Sequence, residues 1–89
     1  MEIRYSKAAA KNLESLDKPT RKRIEVGILG LTKQPPTGDI KPLVSYSDGR
    51  RRLRIGKYRI VFRYHQDGMI DILLILDIDS RGGIYKRRS

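Results

Sequence analysis

The fold is decided by residues 51–64, which read RRLRIGKYRIVFRY. Apolar residues occupy alternate positions on either side of Gly56-Lys57, and these residues are Leu53, Ile55, Ile60 and Phe62. Alternation with a period of two is typical of a β-strand with one buried face. A gap of only two residues, one of them glycine, is typical of a tight hairpin. We therefore expect strands over Arg51–Ile55 and Tyr58–Tyr64, with one apolar face and one arginine-rich face.

The segment after this hairpin continues the sheet. Gln66-Asp67-Gly68 is a turn sequence, because Asp-Gly readily adopts the positive φ that a hairpin turn needs. Met69–Leu76 contains the run ILLIL, which predicts a central strand buried on both faces. A final short strand is expected to include Gly83–Lys86.

The segment before the hairpin is mainly helical. Met1–Tyr5 alternates as a short strand does, and Ser6 is a suitable N-cap for a helix over Lys7–Leu16. A second helix is predicted over Pro19–Lys33, since proline is tolerated in a first helical turn. Turn-forming residues then predict a loop over 34–39. Together these segments predict an α+β fold: an N-terminal strand, a two-helix hairpin, then a mainly antiparallel twisted sheet of three to four strands with the helices on one face.

Composition limits the classes of protein that this chain can represent. Its 89 residues fit a single domain, residues 1–89. The absence of cysteine excludes disulfides, a thiolate zinc site and a cysteine nucleophile, and a single histidine excludes a multi-histidine metal site. No apolar run approaches the ~18 residues that a membrane span requires, and the N-terminus lacks the apolar region of a signal peptide. We therefore expect a cytoplasmic protein with no membrane partner.

The charge distribution points to a polyanionic partner. The net charge is +10, and residues 50–89 contain eleven basic but only four acidic residues. On the predicted hairpin, Arg52 and Arg54 share one face and Arg59 lies beside them. We expect a basic patch with no carboxylate nearby, suited to RNA or DNA phosphates because guanidinium groups bind phosphate with two parallel hydrogen bonds. A solvated strand face is the simpler interpretation of the same arginines.

Two motifs in this chain resemble those of the RelE/ParE toxin superfamily. The first is Arg52-Leu-Arg54-Ile-Gly-Lys-Tyr58-Arg59-Ile-Val-Phe, and the second, after a buried strand, is Asp-Ser-Arg81-Gly-Gly-Ile-Tyr85. The resemblance extends over nearly the whole chain, including the helical hairpin after a first strand. Its RelE branch consists of endoribonucleases that cut mRNA in the decoding site of the ribosome and are neutralised by a cognate antitoxin that wraps around the toxin.

The resemblance implies roles for individual residues. Arg59 matches the arginine that clamps the scissile phosphate, Tyr85 matches a C-terminal tyrosine that stacks on RNA and is proposed as general base, and Arg81 matches a residue that stabilises charge or protonates the leaving group. The expected RNA-binding residues are Arg51, Arg52, Arg54, Lys57 and Lys86. The resemblance implies no cofactor and no metal, and contact with operator DNA only through the antitoxin complex.

Such a site is chemically reasonable. RNA carries its own nucleophile, the 2′-hydroxyl, so an RNase needs positioning, charge neutralisation and proton transfer. In-line attack gives a 2′,3′-cyclic phosphate and a free 5′-hydroxyl. Clustered guanidinium groups favour the phenolate and so lower the pKa of a tyrosine base from its usual value near 10. They are poor general acids, which predicts weak activity unless the ribosome holds the RNA in a strained geometry.

Other residues and functions remain open on the sequence alone. His65 is a candidate base, although it precedes a turn and is expected to be exposed. Asp77 and Asp79 lie two residues apart and could bring their carboxylates together as a metal site. Hard cations usually take more oxygen ligands than two carboxylates provide. Packing is the usual role of residues such as Tyr5, Tyr46 and Tyr64. A ParE-like gyrase inhibitor that acts by binding, and a catalytically degenerate relative, are the alternatives to a nuclease.

Overall fold

The computed structural model describes residues 1–80. Its elements in chain order are β1 (Glu2–Tyr5), α1 (Lys7–Glu14), α2 (Lys18–Gly30), β2 (Asp39–Pro42), β3 (Arg51–Ile55), β4 (Tyr58–Asp67) and β5 (Ile70–Ser80). The five strands form one sheet in the order β1-β5-β4-β3-β2. Neighbours from β2 to β5 are antiparallel, whereas β1 lies parallel to β5. The predicted α+β fold is confirmed.

Local sequence explains where the helices begin. The Ser6 hydroxyl accepts a hydrogen bond from the Ala9 amide at 3.0 Å, which caps α1. The Asp17 carboxylate accepts one from the Thr20 amide at 3.4 Å, and Pro19 occupies the first turn of α2. Both helices end two or three residues earlier than the predicted Leu16 and Lys33.

Both helices cover the same face of the sheet. The core consists of one cluster of buried residues, which are Ala9, Leu13, Ile24, Ile28, Leu31, Leu53, Ile60, Phe62, Leu73, Ile75 and Ile78. Leu53 pairs with Ile60 across β3 and β4, so the predicted apolar face is the helix-covered face. The opposite face carries no helix within residues 1–80, and we call it the open face.

A β-bulge divides strand β5. Phe62 pairs with Ile75, but the preceding Val61 pairs with Asp77, so Leu76 is an extra residue. The start of α1 holds this bulge, since the Ser6 hydroxyl donates to the Leu76 carbonyl at 2.7 Å. Because of the extra residue, the side chains of β5 that point into the core are Leu73 and Ile75 before the bulge and Ile78 after it, three residues on from Ile75. Period-two reasoning on the sequence could not anticipate that change.

Several predicted boundaries differ from the structure. Strand β2 replaces the end of the predicted loop over 34–39, and its pairing with β3 explains why it forms. Strand β4 ends at Asp67, three residues after the predicted Tyr64, and the second hairpin turns at Gly68-Met69 instead of Gln66-Asp67-Gly68. Strand β5 continues to Ser80 because β4 pairs with it along its whole length. The strand predicted over Gly83–Lys86 lies outside the described residues. Within residues 1–80, no helix is long and apolar enough to span a membrane.

Candidate nucleic-acid interface

A row of four charged residues crosses the open face at one end of the sheet. Arg54 on β3 lies directly opposite Arg59 on β4. Asp39 on β2 is the neighbour of Arg54, and Asp79 on β5 is the neighbour of Arg59. We call these four residues the arginine row. Both arginines are exposed, and neither forms an ion pair within residues 1–80.

Like charges directly opposite each other in a sheet are destabilising, because their Cβ atoms lie only about 4.5–5.5 Å apart. An anion placed between the two guanidinium groups would relieve that repulsion and accept charge-assisted hydrogen bonds from both. The predicted position of Arg59 beside Arg54 is confirmed, and an arginine pair of this kind is suited to holding a phosphate as a clamp.

The expectation of a patch without nearby carboxylates is wrong. The Arg52 Nη1 atom lies 3.3 Å from the Asp39 Oδ1 atom and donates to the Asp39 carbonyl at 2.9 Å. Its side chain is only 12% exposed. The physical reason is β2, which brings Asp39 onto the open face, whereas the sequence placed this residue in a loop. Arg52 is thus held beside the clamp rather than projecting into solvent.

The structure separates the other predicted RNA-binding residues. Arg51 lies opposite Phe62, on the helix-covered face, and so does not share a surface with Arg52 or Arg54. Lys57 lies in the β3–β4 turn, with its Nζ atom 5.6 Å from the centroid of the Tyr58 ring. This position is two residues before Arg59, so Lys57 extends the positive charge at this end of the sheet.

Three predicted site residues, Arg81, Tyr85 and Lys86, lie outside the described residues. Strand β5 ends at Ser80, which is paired with Tyr58, the residue before Arg59. The last described residue of β5 therefore lies at the end of the sheet that carries the arginine row.

Two other residues that the sequence suggested as candidates, Asp77 and His65, are not part of the arginine row. The Asp77 carboxylate accepts from the Ile78 amide at 2.9 Å and from the Asn12 side chain at 3.3 Å. His65 is exposed on β4, six positions and so about 20 Å along the strand from Arg59. Residues 1–80 contain no group of three or more side chains arranged to hold a metal ion.

Sequence reasoning missed a cluster at the far end of the open face. The Asp48 carboxylate lies 3.0 Å from Nη2 of Arg50 and 3.7 Å from Nε of Arg63. The hydrogen bond from Arg50 and the nearby positive charges hold the pKa of Asp48 below its usual value. The Arg50 guanidinium also lies over the Tyr46 ring, at 4.1 Å from its centroid. Strand alternation contains no signal for this cluster, because the loop between β2 and β3 brings its members together.

This α+β fold is shared with toxins of the RelE/ParE superfamily. The family model for the ParE toxin of type II toxin–antitoxin systems matches residues 3–85. The chain therefore belongs to this family and to the RelE/ParE superfamily. No curated protein matches the chain significantly.

Solved structures of the superfamily share this fold. The RelB–RelE antitoxin–toxin complex of Methanococcus jannaschii is similar at 25% identity, with 96% of this chain and 98% of that chain covered and a TM-score of 0.65. The archaeal RelE–RelB complex of Pyrococcus horikoshii OT3 is similar at 25% identity over 91% of this chain and 94% of that one, with a TM-score of 0.65. The YoeB/ParE toxin of Agrobacterium tumefaciens has a TM-score of 0.71 at 18% identity, over 91% and 99% of the two chains, and that likeness concerns the fold alone.

Proposed function

We propose that this type II toxin is a ribosome-dependent endoribonuclease that cuts mRNA in the decoding site and thereby inhibits translation. The observation that carries the proposal is the Arg54–Arg59 pair, two exposed arginines at directly opposite positions of β3 and β4, on a face that carries no helix within residues 1–80. Two such groups can hold one phosphate and stabilise the extra negative charge of its pentavalent transition state. Residues 1–89 would then form one toxin domain that acts in the cytoplasm, where the ribosomes are.

The proposed reaction needs only groups of the chain and of the RNA. The 2′-hydroxyl attacks the adjacent phosphorus, the bond to the 5′-oxygen breaks, and the products are a 2′,3′-cyclic phosphate and a 5′-hydroxyl. Arg59 and Arg54 clamp the phosphate, while Arg52, held by Asp39, binds the neighbouring backbone. By resemblance, Tyr85 removes the proton of the nucleophile, and Arg81 stabilises or protonates the leaving oxygen.

A cognate antitoxin is the expected protein partner. The RelE toxins of Methanococcus jannaschii and Pyrococcus horikoshii were solved in complex with RelB antitoxins. A net charge of +10 favours an acidic partner, and an acidic segment lying on the open face would compete with mRNA for the same arginines. Contact with operator DNA is then expected only through the antitoxin.

Inhibition of DNA gyrase by binding is the second candidate function. The observation that favours it is the match of residues 3–85 to the ParE toxin model. A binding protein does not need a clamp for a scissile phosphate, so the Arg54–Arg59 pair favours the nuclease.

The decisive experiment is mRNA cleavage in a purified translation system, with and without ribosomes, followed by analysis of the new 5′ ends. We expect ribosome-dependent cuts that leave a 5′-hydroxyl, and a rate lower by about 10²–10³ in Arg59→Ala, the usual effect of removing one donor to transition-state charge. Arg54→Ala should reduce cleavage strongly. Arg51→Ala removes the same charge from the same strand but from the other face, and its effect should be much smaller.

Lys22→Ala is a control for net charge, since Lys22 is exposed on α2. Gyrase supercoiling is measured with the same wild-type preparation. Inhibition of supercoiling without any mRNA cleavage would overturn the nuclease proposal in favour of the second candidate. Equal losses in Arg51→Ala and Arg54→Ala would show that total charge, not the clamp, determines activity.

A further inference from the structure

An exposed tyrosine stands at the end of the open face that is farthest from the arginine row. Tyr46 lies in the loop between β2 and β3 and is 49% exposed. Its neighbour Val44 is 93% exposed, so this part of the loop is not packed on the core. The packing role that the sequence suggests for Tyr46 therefore does not account for its position.

The Tyr46 ring is nevertheless held in place. The Arg50 guanidinium lies 4.1 Å from its centroid, and Arg50 is itself fixed because its Nη2 atom and its amide both donate to the Asp48 carboxylate, at 3.0 and 3.2 Å. Two backbone bonds close the loop: the Leu43 amide donates to the Arg50 carbonyl at 3.0 Å, and the Tyr46 amide to the Leu43 carbonyl at 3.2 Å. The loop thus presents an aromatic ring with a guanidinium stacked on it.

The Asp48 carboxylate connects this loop to the open face. It lies 3.7 Å from Nε of Arg63, which shares the open face of β4 with Arg59. Arg63 is four positions from Arg59, which corresponds to about 13 Å along a strand. An extended RNA chain held at the arginine row can therefore reach the loop within a few nucleotides.

We propose that Tyr46, stacked on Arg50, is a subsite that binds an unpaired base of the RNA through its aromatic face. The inference rests on the proposed function, because it adds a second contact to the same RNA-binding surface. Single-stranded nucleic acids are bound by positively charged grooves in which bases stack on aromatic rings and on arginine planes. Arg63 and Arg52 lie between the loop and the clamp, and their positive charge is partly offset by Asp48 and Asp39.

The test measures binding without cleavage. The probe is a fluorescently labelled, fully 2′-O-methylated hexanucleotide, which lacks the nucleophilic 2′-hydroxyl, and a second probe of equal length lacks its bases. Tyr46→Ala should weaken binding of the first probe about five- to a hundredfold, the usual range for the loss of one stacked base. Binding of the base-free probe should not change. Tyr46→Phe and Tyr46→Trp should bind as wild type or more tightly.

Tyr5→Ala is the matched control, because Tyr5 is 37% exposed and lies on β1 at the other edge of the sheet. Tyr46→Leu keeps an apolar side chain without a π face, so it separates stacking from loop stability, and the melting temperature of each variant is recorded. Unchanged affinity in both Tyr46→Ala and Tyr46→Leu, while Arg54→Ala binds less tightly, would overturn the subsite and leave the nuclease proposal intact. Loss of antitoxin binding but not of oligonucleotide binding would assign Tyr46 to a protein interface and also overturn it. Base-dependent binding that needs Tyr46, in a protein that cuts no mRNA, would support the subsite and refute the nuclease.

Discussion

The two faces of the β3–β4 hairpin arise from the same alternating sequence but have opposite properties. On the helix-covered face, Leu53 and Ile60 are paired and almost completely buried. On the open face, the next pair consists of the exposed Arg54 and Arg59. One face contributes the burial that holds the fold together, whereas the other places two like charges in register.

This difference separates stability from function within a single pair of strands, β3 and β4. Changes on the helix-covered face should alter the free energy of unfolding and leave the chemistry of the open face intact. Changes on the open face should have little effect on stability, or even increase it, because a functional site can retain an arrangement that opposes folding.

The largest effect on stability is expected at Phe62. This side chain is fully buried, and its ring makes an edge-to-face contact with Tyr64 at 5.6 Å between centroids. Phe62→Ala should lower the free energy of unfolding by about 3–5 kcal/mol, because it removes apolar burial and leaves a cavity. Urea unfolding followed by far-ultraviolet circular dichroism measures the change. Phe62→Leu should lose less, and equal losses in the two variants would contradict the cavity explanation.

A smaller loss is expected at Gly38, which precedes β2. Its φ is +127°, and a Cβ built there would lie 2.6 Å from Cδ1 of Leu53. Gly38→Ala should therefore lower the free energy of unfolding by about 1–3 kcal/mol, because both the positive φ and the lack of room for a Cβ favour glycine. Gly49→Ala is the control, because Gly49 has a φ of +80° but no atom within 4 Å of a built Cβ. If Gly49→Ala lowers the free energy of unfolding by as much as Gly38→Ala does, crowding against Leu53 does not contribute to the loss at Gly38.

Alternation and turn chemistry in the sequence were sufficient to predict most of the fold. They identified β3, β4 and the position of Arg59 beside Arg52 and Arg54, because burial on one face imposes a period of two. Strand β2 was missed, since Asp39–Pro42 forms it only through pairing with β3. The bulge at Leu76 and the cluster around Asp48 were also missed, as both depend on tertiary contacts that leave no periodic signal.

Tyr64 joins the two layers on the helix-covered face. Its hydroxyl donates to the Leu31 carbonyl, just after α2, at 2.7 Å. Tyr64→Phe should lower the free energy of unfolding by about 1 kcal/mol at neutral pH, the net value of one such hydrogen bond. Urea midpoints at pH 7 measure this loss. An unchanged midpoint would mean that water replaces the hydroxyl without cost.

Ionisation of the Tyr64 hydroxyl should also make the stability of the fold depend on pH in the alkaline range. Burial raises the pKa of the hydroxyl, with Arg51 partly opposing the effect. A raised folded-state pKa contributes stability that is present below the unfolded value near 10 and is lost as the pH rises through the folded value. Stability should therefore fall above about pH 10 in the wild type, and less steeply in Tyr64→Phe. Burial also raises the pKa of Tyr5, so Tyr5→Phe is measured in parallel to separate the two contributions.

The smallest effect on stability, and the one most specific to the open face, is the repulsion between Arg54 and Arg59. A double-mutant cycle with Arg54→Thr and Arg59→Thr should give an unfavourable coupling energy of about 0.2–1 kcal/mol at low salt. The effects of each arginine alone, including any on its cross-strand neighbour Asp39 or Asp79, cancel in the cycle, so only the coupling between the two arginines remains. High salt should abolish the coupling, because 1 M salt reduces the screening length to about 3 Å.

Phosphate distinguishes a clamp from two arginines that merely lie near each other. If the pair holds one anion, millimolar phosphate should raise the melting temperature of the wild type more than chloride of equal ionic strength does. The double variant should respond equally to both salts, because binding to the folded state stabilises it only where the site exists. A coupling energy of zero, or an equal response to both salts in the wild type, would mean that the two guanidinium groups point apart. The open face would then be a solvated surface, and the clamp that supports the nuclease proposal would be lost.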